Sequence, residues 1–118
     1  MALLVIAHAA FAFTPYQGQW WNPDESGSGY NIDIRNGVLV MTVYSYQADG
    51  DAQWYLTAGP MSADGRSYTG TLDQYRDGQC ISCSYVGRPI NTGNAGTVSI
   101  AFASETAATL TLPGRDVF

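Results

Sequence analysis

Apolar and polar residues alternate with a period of two from residue 30 onward, which is typical of β-strands with one buried face. In the segment 30–35, three apolar residues alternate with three polar ones. The dipeptide Asn36-Gly37 then supplies the two positive-φ positions of a type I′ hairpin turn. The following segment, 38–47, is apolar on both faces for most of its length. We therefore expect 38–47 to be a central strand that is covered on both sides.

Further strands are predicted after the next turn, at Asp49-Gly50. The pair Gly59-Pro60 ends the third strand. Residues 76–96 are rich in Gly, Asn, Ser and Pro, and we expect them to form a loop. The predicted strands beyond residue 50 are 52–58, 67–75, 96–104 and 108–114, the last two forming a hairpin.

These strands predict one all-β domain over residues 14–118, because no segment shows a helical period with helix caps. Short connections between successive strands indicate an antiparallel meander of about six to eight strands, to which Trp20-Trp21 could add a strand. Such a sheet buries its apolar face either by closing into a small barrel or by folding over as a β-sandwich. We favour the barrel, because sequential hairpins need no crossovers.

The N-terminal segment 1–13, MALLVIAHAAFAF, is apolar throughout and contains small residues that suit a signal-peptidase site. It is interpreted as a signal-peptide-like leader, which predicts export to the periplasm, the cell surface or the medium. The alternative is a retained arm that packs on its own domain or on the sheet edge of a neighbouring copy. The single histidine, His8, is interpreted as part of this segment.

Composition excludes several kinds of chemistry. The chain has no lysine, so a lysine Schiff base is impossible, and one histidine cannot support a catalytic triad in the domain or a histidine-rich metal centre. Ten acidic and five basic residues give a net charge of −5, which opposes binding to nucleic-acid phosphates. We predict no metal, no cofactor and no nucleic-acid partner.

The stretch GQWWNPDESGSGYN, residues 18–31, contains the first candidate site. Adjacent strand residues point to opposite faces, so one of Trp20 and Trp21 should lie inside and the other outside. Both tryptophans could be purely structural. Alternatively, one of them joins other rings in an exposed aromatic platform for a sugar or a protein partner. The candidate platform residues are Trp20, Trp21, Tyr30, Tyr44, Tyr46, Trp54 and Tyr55.

The same stretch contains a polar turn. Asp24 and Ser26 can bond nearby backbone N–H groups. Gly27 and Gly29 would leave a strip of the strand surface without side chains. An aromatic ring could cover this strip, the glycines could form a bulge, or a ligand could approach the backbone closely there. The residues of this motif are Asn22, Asp24, Glu25, Ser26, Gly27 and Gly29.

Catalysis is a weaker interpretation of these residues. Asp24 and Glu25 would diverge on a strand, whereas glycoside hydrolysis needs two carboxyls that face one bond. The turn Asp49-Gly50-Asp51 matches no calcium loop. The motif CISC lacks further zinc ligands and the helical context of a redox site, so a local Cys80–Cys83 disulfide is expected.

Three segments, WWNPDESGSGYNIDI, VLVMTVYSYQADGDAQWYLTAGP and YTGTLDQYRDGQCISCSY, resemble a domain of secreted proteobacterial proteins with a WW(Y)NPxESGxG signature. The resemblance covers about residues 18–114 and implies an exported all-β domain, with no activity attached to it. Members of that family continue with a further strand. In this sequence the segment LPGRDVF is long enough for only a short part of it.

The sequence thus predicts a non-catalytic extracellular or surface module that recognises a polysaccharide or protein through an aromatic face. One alternative is a structural subunit that forms an extracellular polymer by strand exchange between copies through the N-terminal arm. Another is a small hydrolase that uses carboxylates. No stable membrane span is predicted, because the apolar segment is too short.

Overall fold

One antiparallel sheet forms the protein in the computed structural model, which describes residues 13–116. Its eight strands lie side by side in chain order, and the sheet curls into a half-barrel. The predicted all-β antiparallel meander with barrel-like curvature is therefore confirmed. The strands are β1 (Gly18–Trp20), β2 (Gly29–Arg35), β3 (Val38–Tyr46), β4 (Ala52–Pro60), β5 (Ser67–Arg76), β6 (Ile90–Phe102), β7 (Ala108–Leu112) and β8 (Arg115–Asp116).

The turns follow the dipeptides that predicted them. Asn36 and Gly37 join β2 to β3 with φ values of 52° and 74°, as a type I′ turn requires. In the turn between β4 and β5, Ser62 donates a hydrogen bond to the Asp64 carboxylate, and the backbone N–H of Arg66 donates another. These two hydrogen bonds lower the pKa of Asp64.

The segment before β1 lies against two of the turns that join later strands. The N–H of Tyr16 donates to the carbonyl of Glu105, in the turn between β6 and β7, at 2.8 Å. Phe13 packs against the core, and the Arg66 guanidinium lies 5.0 Å from its ring centroid. The leader or arm predicted over 1–13 lies, apart from Phe13, outside the described residues. In the described part of the chain, no helix has the length and apolarity needed to cross a membrane.

The concave face of the sheet holds the core. Alternate residues of β2, β3, β5, β6 and β7 point inward, as their period-two pattern predicts. The buried apolar residues are Trp20, Tyr30, Ile32, Leu39, Met41, Val43, Tyr68, Leu72, Val98, Ile100, Phe102 and Leu110.

The Tyr68 ring shapes the packing between β4 and β5. Its hydroxyl hydrogen-bonds to that of Thr57, a buried polar residue, at 2.6 Å. The ring lies over two glycines: a Cβ on Gly59 would come within 3.1 Å of it, and a Cβ on Gly70 within 2.6 Å of its Cζ atom. The ring therefore occupies space that is free because these two glycines have no side chains.

The prediction that β3 is covered on both sides is wrong. Its inward residues Leu39, Met41 and Val43 are fully buried. The outward residues Val38, Val40, Tyr44 and Tyr46 are exposed. A sheet that curls on itself covers only its concave face, and within residues 13–116 no second layer lies on the convex face.

The prediction of a loop over 76–96 is wrong in its second half, because β6 begins at Ile90. The pairing of β5 with β6 shifts register at two places, between Thr71 and Asp73 and between Gln74 and Tyr75. Gly93 and Gly96 have φ values of 106° and 132°, which favour glycine. Because this strand is rich in glycine and irregularly paired, its sequence does not show the alternation of apolar and polar residues that predicts a strand.

The expected disulfide is confirmed: Cys80 and Cys83 are bonded to each other. They lie in the connection between β5 and β6, most of which is exposed, including Ile81, Tyr85 and Val86. The bridge therefore stiffens an exposed surface loop and takes no part in the core.

Removing this disulfide should cost little global stability. In the chain-entropy model a four-residue loop is worth at most about 2 kcal/mol. We expect the double variant Cys80→Ala/Cys83→Ala to lower the free energy of unfolding in urea by no more than that. Faster proteolysis within 77–89 should accompany it, and a larger global loss would show that the loop supports the sheet.

Candidate functional site

The predicted platform residues divide between the two faces of the sheet. Tyr30 is 1% exposed and Trp20 is 9% exposed, because both point into the concave face, where Tyr55 is also half-buried. Tyr30 pairs with Trp20 on one side and with Val43 on the other. The assignment of Trp20 and Tyr30 to an exposed platform is therefore wrong.

Trp21 points outward and is exposed. It is 67% exposed, whereas its neighbour Trp20 packs edge-on against Phe102 with ring centroids 5.8 Å apart. The Trp20 indole N–H also donates to the Tyr16 carbonyl at 3.0 Å. Trp21 instead borders an open groove of about 500 Å³. This seam groove is lined by Tyr16, Gln19, Trp20, Trp21, Pro23 and Thr106.

Four outward rings on β3, β4 and β5 form a second surface, here named the outer aromatic face: Tyr44, Tyr46, Trp54 and Tyr75. Tyr44 lies directly opposite Trp54 in the pairing of β3 with β4, and Tyr46 is two residues further along the same face. The Trp54 and Tyr75 rings stack at 5.1 Å with an interplanar angle of 11°. Stacking restricts the Trp54 ring while leaving it 42% exposed.

Tyr75 was missed by the sequence interpretation, although a signal for it was present. Alternation in β5 places Tyr68 and Leu72 inside, so an odd-numbered residue such as Tyr75 must point outward. Its stacking partner, Trp54, could not be identified from the sequence, because contact between β4 and β5 depends on their register.

One side of the outer aromatic face is left open by a glycine. Gly29 on β2 is paired with Tyr44 and has no side chain to cover that ring. Its φ lies outside the left-handed region, and a Cβ there would meet only the Trp20 carbonyl oxygen at 3.7 Å. The fold thus tolerates a side chain at Gly29. The gap beside Tyr44 exists because Gly29 has no side chain.

The turn motif reaches the same surface. Asn22 Oδ1 accepts a hydrogen bond from the Asp24 N–H at 3.0 Å, so the side chain that stabilises this turn is that of Asn22 and not the predicted Asp24 or Ser26. A Cβ on Gly27 would lie 4.0 Å from the Tyr46 ring, so this glycine packs beneath that tyrosine. Glu25, Ser26 and Gly27 line a shallow cavity of about 290 Å³ together with Tyr46, Ser28 and Ser45.

Glutamine side chains join neighbouring strand ends on the other side of the sheet from these rings. Gln53 Oε1 accepts hydrogen bonds from the side-chain amides of Gln47 and Gln74, both at 3.1 Å. The Gln53 amide in turn donates to the Trp54 carbonyl at 2.6 Å. Gln53 and Gln74 alternate with Trp54 and Tyr75 along their strands, so this network joins β4 and β5 on the concave side, opposite the outer aromatic face.

The catalytic candidates have no supporting geometry. Asp24 and Glu25 are adjacent in one turn, and Cys80 and Cys83 are joined in a disulfide. Within residues 13–116, no group of three His, Cys, Asp or Glu side chains could hold a metal ion.

The chain matches no family model, no curated protein and no solved structure. The resemblance to an exported proteobacterial domain therefore stays a prediction.

Proposed function

We propose that this protein is a non-catalytic exported module that binds polysaccharide through the outer aromatic face. The observation that carries the proposal is the Trp54 ring, held parallel to Tyr75 at 5.1 Å and still exposed beside Tyr44 and Tyr46. Flat rings with polar edges suit the apolar faces of sugar rings.

Preorganisation supports this role. A ring that is already stacked loses little side-chain freedom when a ligand settles on it, and ordering costs are a main obstacle to binding. Tyrosines on regular strands share that advantage, since cross-strand pairing sets their spacing. The outer aromatic face is thus better prepared for a rigid, flat ligand than exposed loop residues such as Tyr85 are.

Export is supported by two features. Disulfides persist in oxidising compartments, and the chain contains one in an exposed loop. The leader-like sequence at residues 1–13 points the same way. The self-assembly alternative depends on that segment, nearly all of which lies outside the described residues, and it stays a prediction.

The decisive variant is Trp54→Ala. Truncating an aromatic anchor costs about 2 kcal/mol of binding free energy, so retention on insoluble cellulose, chitin or chitosan should weaken about 30-fold. Trp21→Ala is the matched control, because it removes an equally large exposed ring from the seam groove. Weaker retention of Trp21→Ala with unchanged retention of Trp54→Ala would move the site to that groove and refute the proposal.

Gly29→Val provides a second variant that leaves every ring in place. The valine should fill the gap beside Tyr44 and obstruct a ligand there, while thermal unfolding stays within a few degrees of the parent protein. Loss of retention at unchanged melting temperature supports the proposed site, and full retention contradicts it.

A further inference from the structure

The surroundings of the outer aromatic face are strongly acidic. The hairpin turn between β3 and β4, the turn before β2 and the end of β5 all contribute carboxylates. Together with the start of the disulfide loop, this end of the sheet has six carboxylates and two guanidinium groups: Asp24, Glu25, Asp49, Asp51, Asp73 and Asp77 against Arg76 and Arg88. Most of the protein's net charge of −5 is thus concentrated here.

Two of these carboxylates lie immediately beside the rings. Glu25 lines the same cavity as Tyr46. Asp73 points outward on β5, paired with Leu56 on β4 and two residues before Tyr75 on the same face. The nearby Arg76 pairs with a different carboxylate, its Nε lying 3.3 Å from Asp77 Oδ2.

Exposed rings combined with carboxylates favour a cationic ligand. The π-face of Trp or Tyr attracts an ammonium group, and a carboxylate adds a charge-assisted hydrogen bond. A polyuronic acid would meet repulsion from the same carboxylates, and a neutral glycan would gain only the stacking.

We propose that the polysaccharide is one with free amino groups, in which protonated glucosamine units stack on the outer aromatic face and pair with Glu25 and Asp73. This inference rests on the proposed function and names its ligand class. Glucosamine places a flat pyranose ring and an ammonium group in one unit. It therefore uses both features of the surface at once.

The test compares three oligosaccharides of equal length: glucosamine, N-acetylglucosamine and a uronic acid. Calorimetry in mildly acidic buffer keeps the amines of the glucosamine oligomer protonated. We expect the glucosamine oligomer to bind about tenfold more tightly than the N-acetylated one. The difference should shrink as salt is added, and the uronic oligomer should not bind.

Variants separate local recognition from overall charge. Glu25→Gln and Asp73→Asn should each weaken glucosamine binding about threefold, without changing N-acetylglucosamine binding. Glu105→Gln, an exposed residue in the turn between β6 and β7, changes net charge equally and should have no effect. An equal loss with Glu105→Gln would overturn the inference, because attraction would then be nonspecific.

The possible outcomes distinguish failure of the preference for cationic sugars from failure of the proposed polysaccharide binding. Equal binding of both amino-sugar oligomers, with both lost in Trp54→Ala, overturns the cationic preference and leaves polysaccharide binding intact. Binding of the uronic oligomer alone also refutes the cationic preference. No binding of any oligomer or insoluble polysaccharide refutes the proposed function, and this inference with it.

Discussion

Replacing Trp20 with alanine should lower the free energy of unfolding by about 3–5 kcal/mol, whereas the same change at Trp21 should alter it by no more than about 0.5 kcal/mol. The two residues are adjacent, yet Trp20 is buried and Trp21 is two-thirds exposed. Trp20 joins the edge of the half-barrel to β6 through Phe102, and its indole N–H holds the segment before β1 through Tyr16. Its removal would leave a large cavity and release that segment.

Urea unfolding followed by far-UV circular dichroism measures the stability of both variants. Each unfolding midpoint is converted into a free energy of unfolding with the urea dependence (m value) of the parent protein. Trp20→Phe is an intermediate case, because it keeps much of the packing but loses the hydrogen bond to Tyr16. Equal effects of Trp20→Ala and Trp21→Ala would contradict the division between interior and exterior at this pair.

Gly70→Val should destabilise the protein by about 3 kcal/mol, because its side chain would occupy the space of the Tyr68 ring. To make room, Tyr68 must move and give up its hydrogen bond to Thr57, which leaves a buried hydroxyl without its partner. Valine is otherwise favourable in a strand, so propensity alone predicts the opposite sign.

A double-mutant cycle isolates this cause. In a Tyr68→Ala background the clash is absent, so Gly70→Val should then cost less than about 1 kcal/mol. Gly29→Val is a matched glycine-to-valine control in β2, where the side chain has room. A large cost of Gly70→Val that persists without Tyr68 would show that the backbone, and not the ring, requires glycine.

Stability and the proposed recognition thus depend on different members of one aromatic set. The inward rings, including Trp20, Tyr30 and Tyr68, fill the half-barrel. The outward rings Tyr44, Tyr46 and Trp54 stay exposed. Substitutions on the convex face should therefore change binding without unfolding the domain. This separation makes the experiments on Trp54 and Gly29 interpretable.

Local patterns predicted the parts of this protein that depend on neighbouring residues. Alternation assigned the inward residues of β2 and β5, the Asn36-Gly37 pair assigned a turn, and the spacing of two cysteines assigned the disulfide. Each of these depends on a few bonds between adjacent residues, so the surrounding fold changes them little.

The tertiary structure alone decided which apolar surfaces are covered. β3 is apolar on both faces, and only the curl of the sheet leaves Tyr44 and Tyr46 exposed. The register between β4 and β5 stacks Trp54 on Tyr75. The glycine-rich first half of β6 is a strand because it pairs, irregularly, with β5. Period two tells which residues share a face. Which face is buried depends on contacts between residues distant in the chain.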